Sequence, residues 1–148
     1  MPFRFLFADA AKGIFVGTGH GSPDDTSGHP PRWNGYSFVS MDDPVDVYEH
    51  RSGYQFLDVR EPYEWAAGHI EEAVHVPLAQ VLNGGEQGQL STDLPVVVVC
   101  RSGNRSELAA LMLRARGYDA HNLEGGMERW AAAGLPFVAM DGSEGRVA

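Results

Sequence analysis

The sequence predicts an α/β fold built on a mainly parallel sheet, and three observations predict it. Short apolar strand-type runs alternate with short helix-type runs from Tyr36 to the end of the chain. Val96–Val99 is an unbroken run of four β-branched residues with no polar alternation, which suits a strand covered by helices on both faces. Gly and Pro stand at the junctions, where helix starts and stops require them.

The elements follow in order. Residues 37–40 (SFVS) read as a first strand. Asp43 and Pro44 supply an N-cap and a first-turn proline for a helix carrying Val45, Val47 and Tyr48, which Gly53 closes. Residues 55–59 (QFLDV) form a second strand, and 61–67 a short helix opened by Pro62 and stopped by Gly68. A third strand at 73–76 leads into a short helix at 77–82 and a polar, Gly-rich loop at 83–93. After the valine strand, residues 107–116 place Leu108, Leu111, Met112 and Ala115 along one helical face, with Gly117 as the C-terminal cap. A fifth strand at 120–123, a Gly125-Gly126 turn and a helix at 127–133 complete the pattern, with Gly134 and Pro136 ending it.

Residues 1–35 have a different texture. Gly17, Gly19, Gly21, Pro23, Gly28, Pro30 and Pro31 crowd together without periodicity, as in a flexible or surface-packed extension. The alternation of Phe3, Phe5 and Phe7 allows a short edge strand within it. The expected organisation is therefore an extension over 1–35, one domain over 36–140 and a C-terminal tail over 141–148.

Composition narrows the function. The 148 residues carry a formal charge of −9, against the positive footprint that nucleic acid or an anionic membrane requires. No apolar run approaches the ~20 residues that span a bilayer, and MPFRFLFADA is too weak for a secretory signal, so a cytoplasmic protein is expected. A single cysteine excludes an internal disulfide, a CxxC pair or a multi-Cys zinc site. His20, His29, His50, His69, His75 and His121 lack metal-ligand spacing, so no metal is expected. Trp65 and Trp130 read as core, and the acidic residues at 71–72, 86 and 141–144 as solvated surface.

The chemistry concentrates in Cys100-Arg101-Ser102-Gly103-Asn104-Arg105-Ser106. This stretch joins a buried strand to a helix start, at the sheet edge where ligands bind in open parallel sheets. Backbone N–H groups of such a loop, with the unpaired N–H groups of a helix start, form a nest for negative charge. A thiol there ionises more readily than a free one, which titrates near ~8.5. Arg101 and Arg105 add permanent cations, and Gly103 tolerates the sharp turn. The expectation is an ionised, reachable sulfur with a docked anion beside it.

That loop resembles the active-site loop of rhodanese-type sulfurtransferases. Residues 57–70 (LDVREPYEWAAGHI) and 123–136 (LEGGMERWAAAGLP) resemble flanking segments of the same family, in the expected order. The resemblance spans roughly 36–138 and implies a rhodanese-like domain with a five-stranded, mainly parallel sheet, no cofactor and no metal. It also implies that Cys100 becomes a persulfide, that Arg101, Ser102, Gly103, Asn104, Arg105 and Ser106 form the cradle, that Arg60 contributes to anion binding, and that Asp58 supports that strand end. The expected partners are a small anionic sulfur donor such as thiosulfate and a thiol or protein acceptor, with the chain itself a monomer. Thiosulfate-favouring two-domain relatives carry lysine two residues after the cysteine; here Ser102 stands there, which leaves the donor open. Two other functions compete. Cys-dependent phosphatases and arsenate reductases place five residues between nucleophile and arginine, whereas four separate Cys100 from Arg105. A sulfur-relay or docking module would act with a protein partner instead of turning over small donors rapidly.

Overall fold

The computed structural model describes residues 41–148, together with two short strands before them. Those strands, β1 (Arg32–Trp33) and β2 (Tyr36–Ser37), pair antiparallel, in a unit spanning Met1–Phe38. The expected strand at 37–40 is thus described only at its first residue. Residues 38–40 and the Phe3, Phe5 and Phe7 alternation lie outside the described residues.

The second unit, Val39–Ala148, contains a parallel sheet of four described strands in the order β4-β3-β5-β6. They are β3 (Gln55–Asp58), β4 (Val74–His75), β5 (Val96–Val99) and β6 (Ala120–Asn122). Five α-helices are described with them: α1 (Pro44–Glu49), α2 (Pro62–Ala67), α3 (Leu78–Leu82), α4 (Asn104–Ala115) and α5 (Gly126–Ala132). Asp43 caps α1 as expected, its side chain accepting from the Val45 N–H at 3.0 Å.

The valine run sits at the centre and is buried throughout. Successive side chains of a strand point to opposite faces, so Val96 and Val98 join Leu57, Val81, Ala110 and Leu113 on one side. Val97 and Val99 join Val47, Phe56, Met127 and Trp130 on the other. Trp130 is fully buried, meets Tyr48 and Phe56 edge-on, and donates its indole N–H to the Pro136 carbonyl at 3.0 Å. Trp65 differs: it is half-buried and stacks on the imidazoles of His69 and His75.

Three expectations are corrected. Helix α4 begins at Asn104, not 107, and turns Ser106, Ala109, Ala110 and Leu113 inward. Leu108 and Leu111 are 44% and 55% exposed. Both stripes repeat at helical spacing, and the one carrying Ser106, Ala109, Ala110 and Leu113 takes the inner face. Glu86, expected on the solvated surface, is fully buried, its carboxylate accepting from Arg116 Nη1 at 3.0 and 3.1 Å. This pair ties the 83–93 loop to the end of α4, where Arg116 also donates to the Val81 and Leu82 carbonyls. Residues 141–148, expected as a tail, fold back: the Arg146 N–H donates to the Ala67 carbonyl at 2.9 Å, and Val147 packs on the core. Only a residue without a side chain fits at Gly68, where a Cβ would lie 2.6 Å from the Arg146 carbonyl oxygen.

Candidate active site

Cys100 follows β5 directly, and α4 starts four residues later. Gly103, at φ +108°, adopts the left-handed conformation that folds the loop back over the sulfur. Its N–H donates to Cys100 Sγ at 3.0 Å, and the Ser106 hydroxyl lies 3.2 Å from the same atom. Burial by itself pushes the thiol pKa up. Hydrogen bonds from the Ser106 hydroxyl and from the backbone N–H groups of Ser106, Gly103 and Ser102 outweigh it, so the thiol is held below its ordinary value.

The loop is braced from behind by a second helix start. The Met127 and Glu128 N–H groups, in the first turn of α5, donate to the Cys100 and Arg101 carbonyls at 2.9 and 3.0 Å. Those N–H groups would otherwise lack partners at a helix start. Engaging the loop carbonyls in this way leaves its own N–H groups to face the sulfur. Gly126 permits the approach, since a Cβ on it would lie 2.3 Å from the Cys100 carbonyl oxygen.

Two features depart from the sequence expectation. Cys100 is only 1% exposed, whereas a reachable thiol was expected. Its loop neighbours Arg101, Ser102 and Asn104 are all exposed. The arginines, expected to hold the thiolate with their charges, are engaged with carboxylates. Arg101 Nε donates to Glu128 at 3.1 Å. Arg105 makes a bidentate pair with Glu64, at 2.7 and 2.9 Å. Hydrogen bonding to Glu64 raises the Arg105 pKa, with smaller contributions from the charges of Glu64 itself, Cys100 and Glu61.

Arg60, expected to contribute to anion binding, spends most of its donors on the protein itself. It is fully buried, donating from Nε and Nη2 to Asp58 at 2.8–3.1 Å and from Nη2 to the Gly68 carbonyl at 2.7 Å. Its Nη1 has no hydrogen-bond partner among the described residues, and the residue is as deeply buried as Cys100. The physical reason is Asp58: a buried carboxylate two residues away is the strongest available partner for a buried guanidinium. Asp58 and Arg60 therefore form a brace at the end of β3.

Sequence reasoning passed over Glu64 and Asn122. Glu64 is nine-tenths buried or more, and besides Arg105 it accepts from the Glu61 N–H at 2.9 Å, closing a capping box on α2. The acidic residue in the first turn after Pro62 was the available signal. Hydrogen bonding from Arg105 lowers the Glu64 pKa below its ordinary 4.5 despite burial. A depressed carboxyl contributes its full stability above the unfolded value and loses it as pH falls through the folded one. Glu64→Gln is therefore expected to lower the urea midpoint at neutral pH and to flatten its decline below pH 4.5. Equal slopes in the two proteins across that range would contradict the assignment. Among the described residues no group of three His, Cys, Asp or Glu side chains is placed to hold a metal, and no helix is long and apolar enough to cross a membrane.

Comparison with known proteins agrees with this geometry. Residues 43–133 match the model of the rhodanese-like domain. The chain is 39% identical over 87 residues to a sulfurtransferase of Allochromatium vinosum, covering 58% of this chain and 79% of that protein. It is 38% identical over 89 residues to the thiosulfate sulfurtransferase GlpE of Pseudomonas aeruginosa, covering 59% and 79%. Among solved structures, a rhodanese-related protein from Thermoplasma volcanium superposes with a TM-score of 0.60 at 33% identity, over 65% of this chain and 94% of that one. With a family match over more than half its length and a cysteine loop of this construction, the chain belongs to the rhodanese-like family.

Proposed function

We propose that this protein is a sulfurtransferase that carries sulfane sulfur on Cys100. The observation that carries the reading is the geometry at the sulfur: the Gly103 N–H donates to Cys100 Sγ at 3.0 Å and the Ser106 hydroxyl stands 3.2 Å away, polar partners that hold the thiol pKa down against burial. An inert buried cysteine shows the reverse, a raised pKa in apolar surroundings.

The reaction has two halves. The Cys100 thiolate attacks the outer sulfur of thiosulfate, the new Sγ–S bond forms as the S–S bond of the donor breaks, and sulfite leaves with the electron pair. An acceptor nucleophile, cyanide or a thiolate, then attacks the outer sulfur, and Cys100 departs as the thiolate. The negative charge of the loaded sulfur sits among the N–H groups of residues 101–106, fixed before the reaction and needing no reorganisation. Because the thiol is already activated, neither half requires a general base. Since Cys100 is only 1% exposed in the resting structure, a donor reaches the sulfur only when the loop opens.

Intact-mass spectrometry after incubation with thiosulfate or polysulfide tests this. The expected result is a gain of one sulfur atom, removed by cyanide, and the better-loading donor ranks the two. A chain whose mass never changes, and whose thiol resists small alkylating agents under native conditions, is not a sulfur carrier.

A second reading, relay to a protein acceptor, is favoured by one observation. Leu108 and Leu111 expose an apolar strip on α4, within its first two turns beyond the cysteine loop. If relay is the main activity, turnover with a protein thiol exceeds turnover with cyanide.

A further inference from the structure

Asn122, at the end of β6, holds the cysteine loop at two points. Its Nδ2 donates to the Gly103 carbonyl at 3.1 Å, and its Oδ1 accepts from the Ser106 hydroxyl at 2.5 Å. The first bond settles which way round the amide sits. Reversing it would set Oδ1 against the Gly103 carbonyl, two acceptors with no proton between them. Oδ1 is therefore committed to Ser106. That hydroxyl also stands 3.2 Å from Cys100 Sγ, but a hydroxyl has one proton to donate. It serves the sulfur or the amide, never both.

We propose that Asn122 is a positioning residue for sulfur transfer, acting as the alternative acceptor that draws the Ser106 proton away from the Cys100 sulfur. The proposal rests on the persulfide reading above. A free thiolate concentrates charge on Sγ, and the hydroxyl turns to it in a charge-assisted bond. Asn122 Oδ1 then faces oxygen lone pairs with no proton between. In the loaded state Sγ is a divalent sulfur, a weak acceptor, and the charge lies on the outer atom. The hydroxyl returns to Asn122 and both groups are satisfied. Only the O–H direction changes; no proton leaves Ser106. Asn122 thereby disfavours the empty thiolate relative to the loaded enzyme and slows discharge, because a less stable thiolate is a poorer leaving group.

The charged groups around the sulfur each have a partner other than Asn122. Arg105 is paired with Glu64 of α2, Arg101 with Glu128 of α5, and Arg60 with Asp58 at the end of β3. On β6, His121 meets Asp119. Replacing Asn122 removes none of these pairs.

The test is the pH dependence of Cys100 alkylation by iodoacetamide, which needs no loaded sulfur and so stands apart from the persulfide assay. Asn122→Ala is expected to lower the apparent thiol pKa by about half to one unit, the size of one hydrogen bond. Asn122→Asp, a stronger acceptor, raises it. In a Ser106→Ala background, Asn122→Ala no longer lowers the pKa, and only a rise from the loosened Gly103 donor remains. A residue that only braces the loop through Gly103 predicts the opposite: its loss loosens the Gly103 donor and raises the pKa in both backgrounds. An unchanged or raised value in Asn122→Ala overturns the proposal. Should that variant fail to fold, Asn122→Asp decides when made with and without Ser106→Ala: its charge raises the pKa in both, and a rise of equal size in the two backgrounds overturns the proposal. If the wild type never gains sulfur by mass, the persulfide reading fails while the alkylation series still reports on the hydroxyl.

Discussion

Cys100→Ala is expected to reduce thiocyanate formation from thiosulfate and cyanide to the uncatalysed background while the protein stays folded. The chain has no second cysteine, so no other side chain can take over as a thiolate nucleophile. The stability effect is small by comparison. Alanine suits the apolar cluster between β5 and α4, and Ser106 keeps Asn122 as its acceptor. The Gly103 N–H loses its sulfur partner, a loss of about 1–3 kcal/mol if no water replaces it. Two measurements check this: the thiocyanate assay, and the urea midpoint as evidence of folding. Activity within a few-fold of the wild type would remove Cys100 from the mechanism.

Gly126→Ala should have the next largest effect, and it reaches the site without touching the sulfur. Gly126 has φ +56°, so alanine incurs roughly 1–2 kcal/mol of left-handed backbone strain. Its Cβ would also lie 2.3 Å from the Cys100 carbonyl oxygen and 2.7 Å from the Arg101 carbonyl. Those atoms are backbone and cannot swing aside, so the loop itself must shift. A displacement of this size is enough to misdirect N–H groups aimed at one atom, and a loss of kcat/KM of about 100-fold follows from comparable misplacements. Gly117→Ala supplies the control. That glycine also has positive φ, at +96°, but nothing lies within 4 Å of its Cβ position. It should lose stability to strain and keep its activity. Equal activity losses in the two variants would show that strain, not contact with the cysteine loop, is responsible.

Some of the molecule was legible from chain order because the governing signals are local. The valine run identified a doubly covered strand, since four β-branched residues after Pro95 favour a strand and the lack of polar alternation favours one buried on both faces. Proline and glycine at 44, 62, 117 and 134 marked helix limits through backbone rules that act within a turn. The cysteine stood out because a strand, a glycine turn and a helix start are adjacent along the chain.

Other features depend on what the fold brings together. Two stripes on α4 repeat at the same spacing, and nothing local decides which meets the sheet; packing against β5 and β6 selects Ala109, Ala110 and Leu113. Glu86 and Arg116 lie 30 residues apart and read separately as surface charges, until the loop closes one over the other.

Chain order alone is enough to establish an α/β framework and a thiol at the tip of its central strand, because both follow from neighbours in sequence. How that thiol is held could be learned only from the folded chain. Arg105 turned to a carboxylate 41 residues away, Arg60 to one two residues away, and a β6 amide joined the loop it faces. A side chain's partner is set by which acceptor lies nearest once burial has removed water, and that competition is resolved in three dimensions.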